Sequence, residues 1–206
     1  RDPETVYKSI EGVDCVCHLA FVNGTEFFYE KPAFVLDVGV KGMVNVIDGC
    51  MKTGVGDLVY ASSSEVYQTP PSVPTDESAP LSVPDPLNPR YSYGGGKIIG
   101  EIMALNYGRE FFDRVTIFRP HNVYGPAMGY EHVIPQFTAN LHDLSQKQGD
   151  HVTLPIQGDG SQTRAFIFVD DFTDGLQLVV EKGENQNIYH IGSMNEVSIA
   201  DLASKV

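Results

Sequence analysis

No stretch of the 206-residue chain approaches the ~20 consecutive apolar residues that a membrane helix needs. No charged n-region followed by an apolar core opens it, so no signal peptide is expected and the location is read as cytoplasmic. Basic residues are few: 14 Lys and Arg stand against 27 Asp and Glu, a formal net charge of −13. Such a chain has no general attraction for phosphate backbones, which argues against nucleic acid as a partner. Cysteine is rarer still. Cys15, Cys17 and Cys50 are odd in number and lack C-x-x-C spacing, so they read as buried free thiols of a reducing compartment. His132, His142, His151 and His190 show no metal-ligand spacing, and no metal site is expected.

What is present is ordinary for a globular protein: 42% hydrophobic and 20% charged residues. The chain starts at Arg1-Asp2-Pro3 without Met, in what reads as a turn. It stops inside the amphipathic pattern that Ser198 would cap. The expectation is a piece cut at both ends.

Apolar runs at Val13–Ala20, Leu58–Ser62, Val115–Pro120 and Ile188–Ile191 read as buried strands. Helical patterns cover Pro32–Thr53, Tyr93–Phe112 and Val133–Gln146. A Pro- and Ser-rich loop joins Thr69 to Asn88. Val152–Ile156 and Thr163–Val169 are further strand candidates. Asp170 or Asp171 is read as the cap of a helix running to Glu181. Strands apolar on both faces, alternating with helices, predict an α/β fold with a parallel sheet covered by helices. Ligands of such sheets bind at the carboxyl ends of the strands.

At one such end, Leu58-Val-Tyr-Ala-Ser-Ser-Ser-Glu-Val-Tyr67 runs from a strand into three serines. Their hydroxyls can bond a substrate oxygen or simply cap the strand. Pro89-Arg-Tyr-Ser-Tyr-Gly-Gly-Gly-Lys97 then opens a helix. Tyr93 and Lys97 are four apart and share a face; Tyr91 has glycine at that spacing. A phenol is a poor base near neutrality, and a neighbouring ammonium lowers its pKa, so the pair can take an alcohol proton. An exposed pair without chemistry is the plainer reading. Three successive glycines cost roughly 1 kcal/mol each against alanine, which implies close approach of a ligand or another backbone. His18, at a strand end, reads as a packed histidine.

The ordered set of the serine-rich strand end, Tyr-x-x-x-Lys and Arg119-Pro-His-Asn-Val-Tyr-Gly-Pro126 resembles the extended short-chain dehydrogenase/reductase family, in its NAD-dependent nucleotide-sugar epimerase/dehydratase branch. His18-Leu-Ala20, Gly158-Asp-Gly-Ser-Gln-Thr-Arg-Ala-Phe-Ile-Phe-Val-Asp-Asp171 and Ile188-Tyr-His-Ile-Gly192 extend the resemblance over nearly the whole chain. It implies a Rossmann-like parallel sheet with helices on both faces, plus part of a smaller C-terminal substrate-binding region. Residues 1–127 would form a partial NAD-binding domain. Residues 128–206 would form a partial substrate region, whose segment at about 163–192 returns to the first. The family's G-x-x-G-x-x-G stretch and the acidic ribose ligand are not in this sequence. The resemblance places them upstream, within on the order of 60 further residues.

By the same resemblance, Tyr93 is the base, Lys97 lowers its pKa and bonds the nicotinamide ribose, and Ser63 holds the reacting oxygen. Leu19, Ala20, Phe21, Ser62 and His121 lie along the cofactor. Ser63, Ser64, Asn122 and Arg164 contact a nucleotide-diphosphate sugar, Arg164 through a guanidinium fork suited to phosphate. Phe21, Val38 and Gln68 replace the family's usual Ala, Asn and Gly. Ser64-Glu65 replaces the Asp-Glu of 4,6-dehydratases, which disfavours dehydration. UDP-glucose 4-epimerase-like chemistry is the favoured expectation. A UDP-glucuronate decarboxylase-like enzyme using Glu65 is the alternative, carried by Ser63-Ser-Glu-Val-Tyr67 and Ser161-Gln-Thr-Arg-Ala-Phe166. An inactive binding or scaffold protein is a third reading. A homodimer is expected through helices 32–53 and 93–112.

Overall fold

The computed structural model describes residues 1–148 and 152–206; His151 lies outside them. Two compact units divide the chain. The first comprises Arg1–Pro120 and Thr173–Ile191, the second His121–Phe172 and Gly192–Val206. The strand that precedes Thr173 pairs within the second unit.

The chain opens with α1 (Pro3–Ile10) where a turn is expected. Asp2 caps it, accepting from the Glu4 amide at 3.3 Å, and proline occupies the first turn. There follow β1 (Cys15–His18), α2 (Thr25–Glu30), α3 (Pro32–Leu36), a π-helical turn at Asp37–Lys41, and α4 (Gly42–Thr53). The single helical pattern from Pro32 to Thr53 thus contains a π turn. Gly54, at φ +77°, closes α4 in the left-handed conformation. β2 (Asp57–Ala61), α5 (Ser92–Phe111) and β3 (Arg114–Pro120) come next. β4 (Asn122–Tyr124), α6 (Val133–Gln148), β5 (Thr163–Phe168), α7 (Val169–Lys182), β6 (Asn187–Ile191), β7 (Glu196–Ser198) and α8 (Ile199–Lys205) complete the chain.

In the first unit β1, β2, β3 and β6 form an all-parallel sheet in that order. Leu58, Tyr60, Val115 and Ile117 project from one face into a core with Ile10, Met43, Ile47, Cys50 and Ala104, so α1, α4 and α5 cover that face. The alternate residues Val59, Thr116 and Phe118 are equally buried. Thr116 there meets Gly183, just past the end of α7. Burial of both faces explains why these strands are continuously apolar. Arg114 ties the strand starts together: its guanidinium pairs with Asp57 across β2 and β3 and donates to the Val180 and Gly183 carbonyls. Cys50 is buried as expected, but Cys17 is exposed on edge strand β1 and Cys15 half-buried.

In the second unit β4 pairs parallel with β5, and β5 antiparallel with β7. Residues 152–156 are irregular rather than a strand. Asp170 and Asp171 lie in the first turn of α7 instead of at its cap. Ser198 does cap α8, its hydroxyl accepting from the Asp201 amide at 2.9 Å. Among the described residues no helix is long and apolar enough to cross a membrane, and no group of three or more His, Cys, Asp or Glu residues could hold a metal ion.

Candidate active site

The carboxyl end of β2 is followed directly by Ser62 and Ser63, and Ser63 caps a 3-10 turn at Ser64–Val66. Its hydroxyl accepts from the Glu65 amide at 3.1 Å. A second 3-10 turn, Pro89–Tyr91, is capped by Asn88 and feeds α5. This delivers Tyr93 and Lys97 on one face of α5, 8% and 3% exposed. The Ser63 hydroxyl is near enough to the Tyr93 phenol to act on its pKa. The Lys97 ammonium donates to the Ala61 carbonyl at 2.6 Å and lies 5.7 Å from the Tyr93 ring centroid. Serine, phenol and amine therefore meet in one buried place.

The electrostatics differ from the sequence expectation. Burial pushes the Tyr93 phenol up to about 12; the nearby Ser63 hydroxyl opposes this and the Glu65 charge adds to it. Burial also pushes Lys97 down to about 7, against the Glu101 carboxylate, which favours its charge. The net shift of the phenol in the unliganded protein is thus upward, because its desolvation decides. His18 stacks on Tyr60 at 5.9 Å and is a packed histidine. Burial, assisted by the Lys97 charge, holds it down at about 4. Its Nε2 has no hydrogen-bond partner.

Phe21 takes a defined position. Its ring lies edge-on to Tyr93 at 5.1 Å and 4.2 Å from Lys97 Nζ. A Cβ at Gly39 would overlap this ring, and one at Gly96 would lie 3.0 Å from it. Phe28 stacks on the other side of Tyr93 at 5.0 Å. Gly94 faces the Glu65 carbonyl and the Gln68 amide, so the approach that the glycines implied comes from the protein itself. Gly95 meets nothing closer than ordinary contact with Val83, and nothing in the structure requires it.

Leu19 and Ala20 are exposed just beyond β1. Ser62, by contrast, is 2% exposed and its hydroxyl is committed to Glu101; its side chain does not face an open cofactor surface. Glu65 is partly exposed and pairs with Arg90 at 3.4 Å. His121, Asn122 and Arg164 belong to the second unit. There Asn122 donates to the Ala165 carbonyl at 3.1 Å, and Arg164 to that of Thr163 at 2.7 Å. Burial lowers the pKa of His121.

Glu101 and the role of Arg119 escaped the sequence reading. Arg119 Nε and Nη2 grip Glu101 at 2.8 and 2.6 Å, both side chains 3% exposed. The signals were present: Glu101 repeats the Tyr93 and Lys97 spacing, and Arg119 is a charge inside an apolar strand.

A family model described as the NAD dependent epimerase/dehydratase family matches residues 1–192. A dTDP-4-dehydro-6-deoxy-D-allose reductase from a Streptomyces species is 32% identical over 202 residues, covering 94% of this chain and 58% of the relative. The structure is similar to that of a Streptomyces venezuelae dTDP-glucose 4,6-dehydratase solved with NAD bound. That likeness has a TM-score of 0.85 and 31% identity, and covers 99% of this chain and 59% of the other. A Thermotoga maritima UDP-glucose 4-epimerase solved with UDP-glucose gives a TM-score of 0.81 at 26% identity, covering 98% and 63%. The chain thus spans about three fifths of the length of the proteins it matches.

Proposed function

This chain belongs to the NAD dependent epimerase/dehydratase family, and from that premise we propose that the whole protein is a nucleotide-sugar 4-epimerase that transiently oxidises a sugar hydroxyl. The observation that carries the reading is the buried meeting of Ser63, Tyr93 and Lys97 at the end of β2. Lys97 would bond a nicotinamide ribose once the Phe21 ring, which covers its ammonium, turns aside. Lys97 spends one N–H on the Ala61 carbonyl and turns toward the faces of Phe21 and Tyr60 with the rest of its ammonium. Leu19 and Ala20 are open beside the sheet edge.

When bound, NAD supplies the acceptor, and later the donor, of the hydride. Tyr93 takes the hydroxyl proton at its phenolic oxygen and returns it after the ketone has turned over. Lys97 in its ammonium form favours the phenolate, and Ser63 holds the sugar oxygen. His121, Asn122 and Arg164 are assigned to the cofactor or the nucleotide sugar. Ser64 offers no acid for removing water, so return of the hydride to the opposite face of the ketone is the simplest outcome. Glu65 is held by Arg90, and a carboxylated sugar would compete for that arginine; this keeps decarboxylation as the second reading. Exposed Leu36, Val44 and Met51, with Ile99, Ile102, Tyr107 and Phe111 on α5, support a homodimer through the two helical segments.

The test is a product assay of the full-length protein with UDP-, GDP- and dTDP-sugars, read by mass. Epimerisation leaves the mass unchanged and yields a new isomer. Loss of carbon dioxide selects decarboxylation, and loss of water overturns both readings. Absence of turnover, with no NAD released on denaturation, selects a family-derived binding protein.

A further inference from the structure

Three turns of one helix face meet three consecutive residues at one strand end. Tyr93, Lys97 and Glu101 recur at four-residue spacing on α5 and so point the same way. Their partners are Ser63, Ala61 and Ser62. Tyr93 lies near the Ser63 hydroxyl, which acts on its phenol. Lys97 donates to the Ala61 carbonyl at 2.6 Å. Glu101 Oε1 accepts from the Ser62 hydroxyl. The first two pairs contain the groups assigned to the chemistry. The third is sealed away, with Glu101 and Ser62 each 2% exposed.

The Glu101 carboxylate is itself oriented. Arg119 on β3 holds both its oxygens, at 2.8 and 2.6 Å. The same guanidinium donates to the Tyr67 hydroxyl and, at 2.8 Å, to the Glu77 carbonyl. Tyr67 in turn shares a 2.6 Å hydrogen bond with His190 on β6. Burying an ion pair is costly, and an apolar pair of similar volume often serves stability as well. What the ion pair adds is direction: with both oxygens of Glu101 engaged, α5 has one register against the ends of β2 and β3.

We propose that Glu101 is a positioning residue for the Tyr93, Ser63 and Lys97 set: oriented by Arg119, it holds Ser62 and so fixes the register of α5 against the end of β2. The inference rests on the proposed assignment of Tyr93 as the base. A reacting pair misplaced by a fraction of a bond length loses much of its advantage, so the effect falls on kcat rather than KM. A second consequence is electrostatic. Lys97 is faced by Glu101 and Tyr93 from α5, His18 from β1 and Tyr60 from β2. Of these, Glu101 is the group whose charge favours the ammonium.

The experiment compares Ser62→Ala, Glu101→Gln and Tyr93→Phe in the full-length enzyme loaded with NAD, using the sugar nucleotide that the panel identifies. Ser62→Ala is expected to lower kcat ~10-fold, and Glu101→Gln by more, with KM within about twofold. The Lys97 side chain, followed by 13C NMR in lysine-labelled protein and assigned by its absence in Lys97→Arg, should titrate at lower pH in Glu101→Gln. It should keep its wild-type titration in Ser62→Ala. A Glu101→Gln protein that does not fold leaves Ser62→Ala to decide. Loss of turnover in Tyr93→Phe with wild-type kcat in Ser62→Ala overturns this inference alone. Retained turnover in Tyr93→Phe overturns the assignment of the base and this inference with it.

Discussion

Ser63 and Tyr93 lie close enough for the serine hydroxyl to act on the phenol, although thirty residues separate them in sequence. Ser63 stands just beyond β2 and Tyr93 in the first turn of α5, so the contact forms only if strand and helix pack in register. Tyr93→Phe removes the phenolic oxygen but keeps the ring between Phe21 and Phe28. We expect turnover of the full-length enzyme to fall at least ~100-fold, the low end for losing a general base. Thermal stability should change little. Steady-state kinetics with a melting curve of the same sample checks both.

The unliganded protein should grow more stable as pH rises from about 7 to about 9. Lys97 titrates near 7 when folded against a reference of 10.5, so there the unfolded chain binds more protons and stability rises with pH; above 9 the Cys15 and Cys50 thiols, raised by burial to about 12 and about 11, oppose the rise. The depressed His18, about 4 against 6.5, adds a rise of the same sign between those values. Tyr93, raised to about 12 from 10, binds its proton more tightly when folded, so it contributes stability that is lost as pH climbs from 10 through 12. Urea unfolding of the protein free of NAD, measured across this range, should show the rise between pH 7 and 9. Lys97→Met should abolish it. A Lys97→Met protein with an unaltered slope would place the Lys97 titration elsewhere.

Phe21 and Gly39 form a fitted pair, because the ring occupies the space a side chain at 39 would need. Gly39→Ala alone should destabilise by overpacking, about 1–3 kcal/mol. Phe21→Ala alone should cost roughly 2 kcal/mol, below the value for a fully buried phenylalanine because this ring is only half-buried. In the double variant the new methyl enters vacated space, so the combined loss should be smaller than the two single losses together by at least ~0.5 kcal/mol. Denaturant unfolding of the four proteins measures this; strict additivity would show that the ring moves aside freely.

The sheet and the Tyr93, Lys97 face were legible because they rest on periodicity. Buried parallel strands write continuous apolar runs, and a helix writes its faces at four-residue spacing. The same reading passed over α1, although Asp2-Pro3 is a sound capping signal and its eight residues are amphipathic. It made a strand of Val152–Ile156, whose apolar residues find no partner strand among the described residues. The direction of the Tyr93 shift was misjudged for a different reason. Sequence shows which charges neighbour one another along a helix, but not how much water is removed from them, and here burial decides. Glu101 and Arg119 lie on different elements, and only folding brings them within hydrogen-bond distance. Gln68, at φ +54° where the family usually has glycine, holds that turn with its own amide, donating to the Glu65 carbonyl at 2.5 Å.

Self-association is open to a single charge. Ile102 is 55% exposed near the middle of α5, with Ile99, three residues earlier and on the same side, at 42%. An exposed apolar pair there, on the helix that also carries Tyr93 and Lys97, would be covered by its symmetric copy in a dimer. Ile102→Asp would bury a carboxylate against that copy without a partner, a cost of several kcal/mol at the interface. In a monomer the same aspartate would meet only water. We therefore expect the full-length protein to sediment as a dimer at micromolar concentration and Ile102→Asp to sediment as a monomer with an unchanged circular dichroism spectrum. A wild-type protein that is already monomeric there would remove the dimer from the proposal.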